Sequence, residues 1–135
     1  MAINFAVNYL AVGVAAIAAV LIGIVYYGLA GLGDRLARMS GMTPRSGPPS
    51  PMQFAIGIAV GLVNAWVLGL LSLNLGASSV ADGILLGVLV WLGFQATVKA
   101  AQVAFERRSW NTWVLTGVHD VLIQVVMATI VSVWR

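Results

Sequence analysis

Apolar residues occupy this chain in four long blocks, over about 5–30, 52–75, 82–105 and 112–134, with short polar breaks between them. A membrane-crossing helix needs about 20 mostly apolar residues at a rise of about 1.5 Å each. The pattern therefore predicts an all-α protein, an integral membrane bundle of four transmembrane helices forming a single membrane domain over 1–135. The first break, "GLGDRLARMSGMTPRSGPPSP" at 31–51, holds four prolines and three arginines. Proline denies the backbone donors that a helix needs, so this break reads as a basic surface loop, opening with a short interfacial helix from Asp34 to Met39. In the second, "GASSVAD", Ser78 or Ser79 can cap the third helix, with Asp82 at its positive N-terminal end. The third, "ERRSWN", is short enough to make the last two helices antiparallel neighbours.

Composition sharpens this picture. Charged residues make up 8% of the chain and hydrophobic residues 61%, whereas about a quarter of a soluble domain is charged. The mean hydropathy is +0.99 and the pI about 10.0. The basic residues lie beside apolar blocks and form no stripe or run, so they point to membrane topology and not to nucleic acid. Arg35, Arg38, Arg45, Arg107 and Arg108 fall in the first and third breaks, with only Arg135 on the opposite side. Those two loops are expected to be cytoplasmic and both termini non-cytoplasmic. No Lys or Arg precedes Arg35, and the first apolar block exceeds the about 7–15 residues of a signal-peptide core, so it is expected to stay as a helix. With no cysteine, disulfides, thiolate metal sites and cysteine nucleophiles are excluded.

Trp110 and Trp113 at one boundary, Trp134 at the other, and Tyr26 and Tyr27 ending the first helix suit interfacial belts, whereas Trp66 and Trp91 lie deeper and are expected to pack on neighbours. Small residues recur every four positions: Ala11, Ala15, Ala19 and Gly23, then Gly57 and Gly61, then Gly83 and Gly87. Such rows let helices approach closely in lipid, either as ordinary bundle packing or as a dimer face.

The chemistry concentrates in the last two helices. Gln95, Lys99, Gln102 and Glu106 share one helical face, and Thr112, Thr116, Asp120 and Gln124 share another. Folding the pair about Ser109 sets Glu106 opposite Thr112, Gln102 opposite Thr116, Lys99 opposite Asp120 and Gln95 opposite Gln124. This predicts a polar seam with a Lys99–Asp120 ion pair and His119 beside it. An unpaired charge at the centre of a membrane helix costs about 2.5–3.5 kcal/mol on insertion scales, which pairing relieves. The seam either holds the hairpin together or forms a hydrated path in which His119 and Asp120 handle protons, a small cation or a polar solute. Other chemistries fit poorly. Zinc wants four ligands and only His119 is present among His and Cys. Bis-histidine haem would need a second subunit. Ser109 lies too far along the helix for a triad with His119, and the four carboxylates are dispersed. No cofactor and no enzyme activity are expected.

"NYLAV" at 8–12, "GIVYY" at 23–27, "WLGF" at 91–94, "ERRSW" at 106–110 and "GVH" at 117–119 resemble, in order, the landmarks of the domain-of-unknown-function 1761 family of small bacterial membrane proteins. The resemblance covers nearly the whole chain. It implies four helices and the bacterial inner (cytoplasmic) membrane, and it supplies no activity. Family members often have Tyr before the histidine and an apolar residue after it, where this chain has Val118 and Asp120, which leaves His119, Glu106 and Trp110 as the shared features. The first expectation for function is a packing or accessory subunit of a larger membrane complex, or a homo-oligomer, with the lipid bilayer as its surroundings. The alternative is a small-solute or proton-linked transporter using the seam.

Overall fold

A computed structural model of the chain describes residues 2–44 and 47–135; Arg45, counted above among the loop charges, lies outside the described residues. Helices follow the apolar blocks: α1 at Tyr9–Leu29, α2 at Leu32–Met39, α3 at Pro51–Leu75, α4 at Val80–Glu106 and α5 at Trp110–Val133. All but α2 are long and apolar enough to cross a membrane. Two of the long helices are not α-helical throughout. Ile24–Leu29 ends α1 as a π-helix, and Trp91–Ala96 forms a π segment inside α4.

The helix starts follow local chemistry. The Asn8 side chain accepts from the N–H groups of Leu10 and Ala11, so α1 begins at Tyr9 and not at residue 5. Ser50 and Gln53 form a reciprocal capping box with Pro51 in the first turn of α3. Ser79, not Ser78, caps α4; the Asp82 carboxylate accepts from the backbone N–H of both serines. Ser109 caps α5.

The bundle is an open array with α5 at its centre. It packs against α1 and the first half of α4 and crosses α3, while α1 packs on α3. Helices α3 and α4 hardly touch, although only residues 76–79 join them. Both chain termini lie at the end of the bundle that holds this turn. Asn4 N–H donates to the Asn74 side chain, and the Arg135 guanidinium donates to the carbonyls of Ala77 and Ser72.

At that terminus end the packing is tight. Ala15, Ala65, Leu68, Met127 and Ala128 are fully buried, and the Ser72 and Ser132 hydroxyls meet at 2.9 Å inside the core. Gly83 and Gly87 let α4 lie directly on the backbone of α5. A Cβ on Gly83 would stand 2.5 Å from the Thr129 Cα, and one on Gly87 would stand 2.6 Å from the Val125 Cα. Elsewhere the small-residue rows divide. Ala11, Ala15 and Ala19 are buried, and Gly61 faces Ala16 at ordinary contact. Gly57 meets nothing within 4 Å and so does not pack. The opposite end, with the arginine-bearing breaks, is loose, and residues 51–60 of α3 are exposed on every side.

Candidate functional site

Because α3 and α4 diverge from the 76–79 turn, a cavity of about 650 Å³ opens between them, with α1 and α5 as its floor. Its walls are mainly apolar, including Val20, Ile24, Phe54, Val60, Ile123 and Met127. The polar residues on its lining are Asn64 and Gln53 from α3, Gln95 and Lys99 from α4, and Tyr27, His119, Asp120 and Gln124 from α1 and α5. The close-packed terminus end lies beyond its floor.

His119 and Asp120 anchor the polar side. Lys99 Nζ donates to Asp120 Oδ2, and His119 Nδ1 lies 3.1 Å from Asp120 Oδ1. An ionised carboxylate only accepts, so His119 Nδ1 carries the hydrogen of this contact. The imidazole is held between two tyrosines, with ring centroids 4.5 Å from Tyr27 and 5.3 Å from Tyr26. Tyr26 is fixed in turn, its hydroxyl donating to the Leu115 carbonyl at 2.6 Å. These are the tyrosines that the sequence pattern assigned to an interfacial belt. The π-helical end of α1 instead turns both adjacent rings towards α5. Gly23, one turn earlier, leaves the imidazole room, since its missing Cβ would lie 3.7 Å from His119 Nε2.

The expected four rungs between α4 and α5 reduce to one direct contact, Lys99 with Asp120. Glu106 is exposed and pairs with Arg108 at 2.6 Å, not with Thr112. Thr116 hydrogen-bonds the Thr112 carbonyl of its own helix, and Gln102 is exposed. Gln124, 1% exposed, turns to α3 and donates from Nε2 to Asn64 Oδ1 at 3.3 Å, leaving Gln95 to line the cavity. For Gln95 the reason lies in the π segment to which it belongs, which takes an extra residue into its turn and rotates it from the register of a continuous α-helix. Its loosened backbone finds other partners. Trp113 Nε1 donates to the Ala96 carbonyl at 3.0 Å, and Thr97 Oγ1 to the Gly93 carbonyl at 2.9 Å. Trp91, expected to pack inward, lies on Gly117.

Asn64 is the site residue that the sequence reading missed, although a lone amide inside a long apolar block is itself a signal. Among the described residues, His119 Nε2 and Gln124 Oε1 are buried with no hydrogen-bond partner, as are Trp91 Nε1 and Thr129 Oγ1. No group of three or more His, Cys, Asp or Glu side chains gathers among them.

Three of the five stretches that carry the resemblance meet at or beside this site: "GIVYY" supplies Gly23, Tyr26 and Tyr27, "GVH" supplies Gly117 and His119, and "WLGF" supplies Trp91, which lies on Gly117. No curated protein and no solved structure matches the chain. The model of the family described as protein of unknown function (DUF1761) matches residues 10–132, and the chain belongs to that family.

Proposed function

We propose that this protein binds a small, largely apolar molecule within the membrane, in the cavity between α3 and α4, as the loading site of a carrier. One observation supports the reading most: a mainly apolar cavity of about 650 Å³ whose lining carries the Lys99–Asp120–His119 cluster and the Asn64–Gln124 pair. Ligand sites commonly have this composition, with apolar walls giving affinity and a few placed polar groups giving orientation. The polar path along α4 and α5 considered from the sequence becomes, in this reading, one wall of a binding site. The well-packed terminus end favours a site entered from one side over a continuous channel.

Extraction in mild detergent followed by native mass spectrometry and analysis of co-purifying small molecules tests this. A Gly57→Phe variant adds a ring at the cavity lining, and its Cβ has room because nothing lies within 4 Å of that position. A bound molecule present in the wild type and lost in Gly57→Phe is the expected result. No bound molecule, or one equally retained in the variant, would overturn the reading.

A second reading, as a homo-oligomer or accessory subunit, draws on residues 51–60 of α3, a mainly apolar half-helix exposed along its whole length. The same spectra address it. A stoichiometric companion chain or a defined multimer supports it, and a clean monomer counts against it.

A further inference from the structure

We infer that the molecule entering this cavity presents a neutral hydrogen-bond donor, an alcohol or phenol hydroxyl on an otherwise apolar body; this rests on the binding reading above. The inference begins with what the polar cluster has already used. Asp120 receives Lys99 on Oδ2 and His119 on Oδ1, so its charge is matched and both oxygens are engaged. A cationic ligand would find no uncompensated anion there.

Among the described residues, the buried polar atoms on this cavity that lack a partner are of one kind. With Lys99 already pairing Asp120, the Nδ1–H tautomer completes the His119 contact and leaves Nε2 as an acceptor. It is buried, has no partner, and lies behind the cavity-lining Gly23, where a Cβ would stand 3.7 Å from it, so a ligand reaches it by displacing little more than the edge of the wall. Gln124 gives one amide N–H to Asn64, and its Oε1 is a second buried acceptor without a partner on the same cavity. Two acceptors would repel a carboxylate or phosphate and match an O–H. The apolar walls set the rest of the ligand, and the matched ion pair removes any preference for charge. The hydroxyl therefore approaches between Gly23 and Gln124, with its apolar body along Phe54 and Val60.

The probes are 4-heptylphenol and its methyl ether, which differ by the donor alone. Binding to the purified full chain in nanodiscs is read by ligand-observed NMR, with partitioning into lipid subtracted using the Gly57→Phe variant. The phenol is expected to bind roughly tenfold tighter than the ether, the factor set by one hydrogen bond to a buried unpaired acceptor. His119→Phe keeps a ring between Tyr26 and Tyr27 but removes the acceptor, and it should bring the two affinities together. Gly23→Ala, whose methyl would cover Nε2 at ordinary contact distance, should do the same should the histidine variant fail to fold. Equal wild-type affinities for both probes would overturn the donor inference and leave the binding reading standing. Binding of neither would overturn both, and a preference that survives both substitutions would remove His119 as the acceptor.

Discussion

The glycines offer the sharpest test of how this bundle is held together, because residues of the same type at the same spacing have opposite surroundings. Gly87→Ala would set a methyl carbon 2.6 Å from Val125 Cα, 2.7 Å from the Gln124 carbonyl oxygen and 2.8 Å from the Val125 nitrogen. All three are backbone atoms, so no side chain can swing aside. Carbon contacts settle at about 3.5–4.0 Å, so α4 and α5 must part by about 1 Å, a gap that forfeits roughly a quarter to a half of each local dispersion contact. Overpacking of this kind costs about 1–3 kcal/mol, and the helix preference of Ala over Gly returns at most about 1 kcal/mol. The expected net loss is about 1–2 kcal/mol. Gly83→Ala meets Thr129 in the same way. The double variant should cost less than the two singles together, because one separation of the helices relieves both clashes. Gly57→Ala and Gly13→Ala, with nothing within 4 Å, should be neutral or slightly stabilising. Reversible unfolding by steric trapping in bicelles reads these differences. Gly83→Ala and Gly87→Ala as stable as Gly57→Ala would refute the close backbone approach and the packing argument built on it.

Two further predictions concern the polar cluster and the two ends of the bundle. Lys99→Met leaves Asp120 without its cation; because the Lys99 side chain is 37% exposed, the expected loss is about 1–3 kcal/mol, below the figure for a fully buried pair. Lys99→Met combined with Asp120→Asn should recover more than half of that loss in the same unfolding assay, and a double variant no more stable than the single would show that the charge is not what Lys99 answers. The absence of native cysteine makes single-cysteine labelling direct: Gly57→Cys on the cavity should react with a membrane-impermeant maleimide added from the side of the arginine-bearing loops, and Ala65→Cys, 0% exposed, should not. Labelling of Gly57→Cys from the opposite side alone would reverse the expected orientation, and equal reaction at both positions would contradict the tight terminus end.

Much of the fold was legible because membrane length and capping chemistry are local. Twenty apolar residues announce a span, and Ser79 with Asp82 three residues later announces a helix start. The Lys99 and Asp120 charges were equally visible, since few residues in such blocks ionise. What could not be read is which helix faces which. Inside a bilayer the lipid is as apolar as the core, so an apolar helix carries little pattern marking its buried side. Gln124 therefore gave no sign that it turns to Asn64 on α3 rather than to Gln95 on α4. The π segments were also hidden, and with them the offset that turns Gln95 from its expected rung. Gly57 and Gly61 look alike in sequence and both line the cavity, yet only Gly61 packs on Ala16, because α3 leaves the bundle between them.

The two π segments also bear on why His119 stands where it does. Widened turns are costly in lipid unless the carbonyls they loosen find donors, and here Trp113 and Thr97 supply them within α4. Such turns inside long helices often mark functional positions. In this chain one of them brings Tyr26 and Tyr27 against one face of α5, and the other sets Trp91 on Gly117, two residues before the histidine. Together they enclose a lone imidazole whose one nitrogen is held by Asp120 and whose other nitrogen is left unpaired. A bundle that needed only to cohere could place an apolar side chain at this position and avoid burying an unpaired acceptor. The conjunction of two irregular turns, an oriented ring and an unpaired nitrogen behind Gly23 favours a recognition group over a structural pin, and it makes His119 the residue on which the binding reading turns.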